Sequence, residues 1–200
     1  MSFKKRRLQE KEDMKNLILN ASIKIINDNG YDMLSMRKIA NVIEYSPTTL
    51  YLYYKNKAQI AEDIGIRISE KIIMDITEIL SKQDNLTIKE KLEQSFKQFI
   101  LSMTSNPEMG KAFIRSGSNV MFKIKADEKT GENLLQTLLI EGHTQGIIKE
   151  VDSNSSWMIL TALIGFGMNS IENQLYLLDN WEDLIESFVS ILMNGIAKEN

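Results

Sequence analysis

The chain has 200 residues, 43% hydrophobic and 26% charged, proportions that suit a soluble globular protein built as one compact domain or a small head on a larger body. With no cysteine and a single histidine, His143, it excludes disulfides, thiolate chemistry and a histidine-rich metal site. The net charge of −3 conceals a division: residues 1–60 carry 11 Lys plus Arg against 6 Asp plus Glu, residues 61–200 carry 13 against 21, so only the first part is drawn to phosphate.

Lys4, Lys5, Arg6 and Arg7 precede any helical pattern. They read either as an arm adding phosphate or minor-groove contacts or as a solvated terminus. Gln9–Asp13 follows where a signal peptide would turn apolar. The most apolar stretch, Trp157–Met168, is shorter than the roughly 20 residues of a membrane span. The cytoplasm is the expected compartment.

The first helix is predicted over residues 10–28, with Met14, Leu17, Ile18, Ala21 and Ile25 as its inward stripe and Asn29-Gly30 as its stop. Ser35 caps a second helix, and its hydroxyl with the amides behind it suits a phosphate. Arg37, one turn in, suits a phosphate or a guanine. Tyr45 closes a tight turn, and a third helix runs over residues 47–54. On a helical wheel Pro47, Leu50 and Tyr54 share one side. Thr48, Thr49 and Leu52 point the opposite way, with Tyr51 and Tyr53 on the flanks. Such a helix suits the DNA major groove. Its outer side lacks Arg, Lys, Asn and Gln, the makers of bidentate base contacts, and offers hydroxyls and methyls instead. That composition predicts an A·T-rich half-site, with Tyr51 and Tyr53 on phosphates. Ser46 and Lys55 complete the expected DNA-contacting set. Asn56 caps a fourth helix running to about Ser81, where Lys57 and the helix N-terminus would grip phosphate. The domain boundary is placed inside that helix, giving 1–62 for DNA binding and 63–200 for the body.

The body reads as helical throughout. Thr87 and Glu90 form a capping box for a fifth helix with Leu92, Phe96, Phe99, Ile100 and Met103 inward. Asn106-Pro107 opens a short sixth helix carrying Phe113 and Ile114, broken at Ser116-Gly117. A seventh is expected over residues 119–145, with an interruption near Thr130-Gly131, and two more over about 154–177 and 181–197. The run Trp157–Met168 is apolar nearly all round, so it must be covered on more than one side. A second copy provides that cover if Trp157, Leu160, Ile164 and Met168 pair with Leu184, Phe188, Ile191 and Leu192 in a twofold four-helix interface.

The run from Ile18 to Ile60 resembles the DNA-binding domain of the tetracycline-repressor (TetR) family of bacterial transcription regulators. The pattern matches at Ala21, Gly30, Arg37, Ile39, Ala40, Ser46, Thr49, Leu50, Tyr51, Tyr54, Lys57 and Ile60; LLIEGHTQGIIKEVDS, residues 138–153, matches more loosely. The resemblance implies an all-α fold of about nine helices: a three-helix helix-turn-helix domain, then a helical effector-binding and dimerisation domain. It implies a homodimer, a repressor by the family's usual mode, that binds a palindromic double-stranded operator and releases it when a small effector enters the body. Phe99, Met103, Phe113, Met121, Phe122, His143, Trp157 and Phe166 are the candidate lining, which favours an apolar or aromatic effector. His143 would orient a polar ligand group or cap a turn. The expected motion is a shift of the sixth helix against the fourth that swings the heads apart. Glu44 departs from the family, which usually has glycine there; either it carries backbone strain or the turn relaxes. No cofactor, metal, membrane or catalytic role is expected. The competing reading is a helical protein-interaction module without DNA binding.

Overall fold

The computed structural model describes residues 3–83, 85–115 and 131–198. Among these it is all-α, with nine α-helices: α1 Phe3–Asn29, α2 Met36–Val42, α3 Pro47–Tyr51, α4 Lys57–Ser81, α5 Ile88–Thr104, α6 Pro107–Arg115, α7 Gly131–Thr144, α8 Ser153–Glu172 and α9 Trp181–Ile196. Two 3-10 turns, Tyr31–Met33 and Leu175–Leu177, join them. The extended piece after α7 forms one isolated bridge, Ile148 with Ala197, which ties the end of the chain to the body. No helix among the described residues is long and apolar enough to cross a membrane.

The head is α1 to α3 with the first turns of α4. Its core joins Ile18, Ile25 and Ile26 of α1 to Ile39 and Ala40 of α2, Leu50 of α3, and Ile60 and Ile64 of α4. Leu17, expected in the stripe, is exposed instead, because the buried face turns toward Ser22 and Ile26. α1 also begins at Phe3, seven residues earlier than the predicted 10, so Lys4, Lys5, Arg6 and Arg7 are helical and not an extended arm. Arg6 pairs with Glu10 at 2.9 Å, and Gln9 donates to Asp13 at 2.9 Å. Such four-residue pairs carry a helix outward past its buried part.

α3 has five residues, shorter than the predicted 47–54, and past Tyr51 the chain continues as a tight turn in which Tyr54 N–H donates to Leu50 at 3.0 Å. A helix this short does not hold itself together. Leu50, fully buried, contributes about 2 kcal/mol and the Ser46 cap about 1 kcal/mol. Against them stands Glu44 at φ 60°, a left-handed conformation that costs about 1–2 kcal/mol. The turn therefore carries its strain, and packing outweighs it.

In the body α5 is central, touching α4, α6, α7, α8 and α9. Its capping box forms as expected, with Thr87 N–H donating to Glu90 at 2.8 Å. Asp152 caps α8, accepting from Ser155 N–H at 2.8 Å. α8 stops at Glu172 and not at 177, because Gln174 turns left-handed at φ 54° into the second 3-10 turn. Of the predicted seventh helix, the part before Gly131 and the break at Thr130 lie outside the described residues.

α6 joins head to body. Ala112 is buried in the head core, while Phe113 belongs to a body cluster with Ile72, Ile76, Met103 and Ile171. Gly110 lets α6 approach closely: a Cβ there would lie 2.3 Å from Ile171 Cδ1 and 2.7 Å from the Met103 carbonyl oxygen.

Two substitutions test this account by chemical denaturation. Glu44→Gly removes the left-handed penalty at the cost of chain entropy, for a net gain of about 0.5–1 kcal/mol. Gly110→Ala forces α6 off a backbone carbonyl and costs about 1–3 kcal/mol.

Candidate nucleic-acid interface and effector cavity

The outer side of α3 is built by its cap. Ser46 Oγ accepts from Thr49 N–H at 3.1 Å and lies 2.9 Å from Thr49 Oγ1. This contact half-buries Thr49 and engages its hydroxyl. Thr48, Tyr51 and Leu52 remain outward, Tyr51 53% and Leu52 76% exposed. An unpartnered leucine and phenol on a cationic head are what base methyls and phosphates would cover. Ser35 caps α2, accepting from Lys38 N–H at 3.2 Å, and Arg37 beside it is exposed. Lys55 is also exposed, its N–H donating to Gln59 Oε1 at 2.8 Å.

Two expected contacts are placed differently. Tyr53 is half-buried against the head core, which takes its ring out of the outer face. Lys57 is half-buried too: its Nζ donates to the Tyr31 carbonyl at 3.2 Å and stands 4.4 Å from the Tyr31 ring centre. One of its three N–H donors is therefore committed within the chain. Beneath α3, Tyr54 donates to Asp63 at 2.8 Å, and Lys15 approaches the same carboxylate at 3.5 Å. Burial first, then the Asp63 hydrogen bond, raises the Tyr54 phenol above its ordinary pKa and keeps it a neutral donor. This ties α3 to the first turns of α4.

Among the described residues an apolar cavity of about 90 Å³ lies between α4, α5, α6, α7 and α8. Ile72, Ile73 and Ile76 line one side, Phe96, Phe99 and Phe113 another, with Leu134, Leu135 and Leu138 opposite Trp157, Leu160, Leu163 and Ile164. Its three hydroxyls are all turned back on their own helices. Ser69 donates to Gly65 at 2.9 Å, Ser95 to Lys91 at 2.7 Å and Ser156 to Asp152 at 3.2 Å. What enters this space meets hydrocarbon, with the serine donors already occupied.

Of the residues expected here, Phe99, Phe113 and Trp157 line the cavity. Met103 is buried beside it, its Sδ 2.9 Å from where a Cβ on Gly167 would lie. Phe166 instead stacks on Phe188 at 4.2 Å and on Trp181 at 5.9 Å, between α8 and α9. His143 is exposed in the last turn of α7. Met121 and Phe122 lie outside the described residues. The leucines of α7 and the isoleucines of α4 were missed, since their helical spacing marks them only as core. Trp157, Leu160 and Ile164, expected at a dimer face, turn into the cavity. The outward side of α8 is Met158, Thr161 and Gly165, with Met168 half-buried at its edge. On α9, Leu184, Phe188 and Leu192 are half-buried and Ile191 is 70% exposed.

A family model described as bacterial regulatory proteins, tetR family, matches residues 18–64, from the inward stripe of α1 to the first turns of α4. The fatty acid metabolism regulator protein of Bacillus subtilis (strain 168) is 32% identical over 139 residues, which span 66% of this chain and 70% of that one. Among solved structures, FadR of Bacillus subtilis in complex with stearoyl-CoA superposes with a TM-score of 0.66 at 26% identity, covering 90% of this chain and 98% of that one. The fatty acid degradation regulator FadR of Bacillus halodurans gives a TM-score of 0.70 at 21% identity over 90% of this chain and 94% of its own, which shows the shared fold. A helix-turn-helix head with α3 turned outward, matched across its core by the family model and across most of the body by FadR, leaves one assignment: the chain belongs to the TetR family of bacterial regulatory proteins, is FadR-like, and is a DNA-binding transcriptional regulator.

Proposed function

We propose that the protein is a homodimeric repressor of a palindromic operator, released when the acyl chain of a fatty acyl-CoA enters the cavity. The observation that carries this reading is the cavity's lining, which among the described residues is almost wholly apolar with its three serine donors already bonded. Such a site selects a chain with no polar groups along its length. The relative solved with stearoyl-CoA supplies the ligand class. About 90 Å³ is less than the roughly 150 Å³ of a dry cavity that holds benzene. A long acyl chain therefore enters only by moving the walls. That requirement gives the ligand different affinities for two states, which release needs.

The head, 1–62, takes the operator, and the body, 63–200, takes effector and partner. Met158, Thr161 and Gly165 on α8 and Ile191 on α9 are exposed, with Met168, Leu184 and Leu192 half-buried. A Cβ on Gly165 or Gly195 would meet open space, so this face has room for the same face of a second copy. Thr48 and Leu52 would meet an A·T-rich half-site through thymine methyls, with Tyr51 and Lys55 on phosphate and Arg37 on phosphate or guanine.

Four measurements test this. Saturating stearoyl-CoA should lower operator affinity by about tenfold or more in fluorescence anisotropy, and coenzyme A alone should not; no change with any acyl chain length rejects the effector. Met158→Glu with Ile191→Glu should give a monomer by light scattering and lose the operator. Finally, operator binding should weaken steeply with salt, with Lys55→Ala reducing the slope by about 0.9. Oligonucleotide selection that returns a G·C-rich core rejects the half-site.

A further inference from the structure

Tyr31 occupies the 3-10 turn after α1 and is reached by cations from two other helices. Lys57, the first residue of α4, places its ammonium 4.4 Å from the ring centre and donates to the Tyr31 carbonyl at 3.2 Å. Arg115, the last residue of α6, places its guanidinium carbon 5.4 Å from the same ring and pairs with the adjoining Asp32. Burial is the main reason the Tyr31 phenol is raised above its ordinary pKa, and the electron-rich face of the neutral ring attracts both cations.

These contacts join two places otherwise far apart in the chain. Lys57 follows the outward side of α3 by five residues, next to exposed Lys55. Arg115 stands two residues beyond Phe113, a wall of the cavity, on the same nine-residue helix. That helix cannot yield locally, because Gly110 is already against the Met103 carbonyl and Ala112 is buried in the head core. Displacing Phe113 therefore displaces Arg115.

We infer that Tyr31 is the joint through which the cavity acts on the head, and that Arg115 is a positioning residue for operator binding: it holds Tyr31, and through it Lys57, in the arrangement that meets DNA. Filling the cavity withdraws Arg115, and the turn and the start of α4 lose their anchor. The effector side of this inference rests on the acyl-CoA reading above; the ligand-free side does not.

The test compares wild type with Arg115→Gln and Arg115→Lys, reading operator affinity with and without stearoyl-CoA, stearoyl-CoA affinity, and the thermal midpoint. Arg115→Gln should lose about tenfold in ligand-free operator affinity and respond less than twofold to stearoyl-CoA. It should also bind stearoyl-CoA more tightly, because coupling is reciprocal. Arg115→Lys, which keeps the charge near the ring, should recover most of each effect. A fold-stabilising role alone would lower the thermal midpoint without tightening the effector. Tyr31→Leu, which keeps the apolar burial and removes the ring, should reproduce Arg115→Gln and stands in for it if that variant does not fold. An unchanged ligand-free operator affinity overturns the inference, and so does a lost affinity that keeps the wild-type response to ligand. Should wild type ignore stearoyl-CoA, the effector reading fails, and the joint is still decided by ligand-free affinity: lost in Arg115→Gln and restored in Arg115→Lys, or overturned.

Discussion

α6 is shared between two hydrophobic cores, and the rest of the molecule is arranged around that constraint. Ala112 is closed into the head and Phe113 into the body, from one helix of nine residues. Gly110 presses the same helix onto the backbone of α5. A close-packed junction of this kind does not deform gradually; it holds one arrangement until a wall is moved, and then repacks. Head and body are thereby joined by more than the continuous α4. Asn106 donates to Asn27 at 3.1 Å, which adds a polar contact between the start of α6 and the end of α1.

Within the head the local elements are weak and the packing is strong. α2 and α3 have seven and five residues, each with a serine cap, and neither length would persist alone. Leu50 and Tyr54 bury the recognition element against α1 and α4, and Asp63 gathers the Tyr54 hydroxyl and Lys15. The partly exposed ion pair adds little by itself. The buried phenol adds more, since losing its acceptor would strand a polar group. A rigid support of this kind lets Glu44 sit in a left-handed conformation and still leaves Thr48, Tyr51 and Leu52 facing out.

The charge division gives the geometry its direction. Residues 1–60 sum to +5 and residues 61–200 to −8, which draws one end to a polyanion and repels the other. α1 extends that cationic end by beginning at Phe3, so Lys4 to Arg7 ride on a helix and not on a loose arm. Arg6 is partly neutralised by Glu10, while Arg37 and Lys55 stand exposed near α3.

The sequence by itself determined the caps at Ser35, Asn56 and Thr87, the inward set of Leu50 and Tyr54, the all-helical character and the family. Each of these is carried by hydrogen bonds or side-chain spacings that span three or four residues, so the chain states them locally. Tertiary structure alone decided which side of Trp157–Met168 faces where. A stretch apolar on every side has no preferred face of its own, and only neighbouring helices turn Trp157, Leu160 and Ile164 to the cavity and leave Met158 and Gly165 outside. It also decided that Phe166 stacks on α9, that Lys57 is engaged by Tyr31, and that Arg115 reaches the same ring across 84 positions of sequence. A void or a cation over a ring arises where distant segments meet with the clearance their volumes leave, and no local pattern records that clearance.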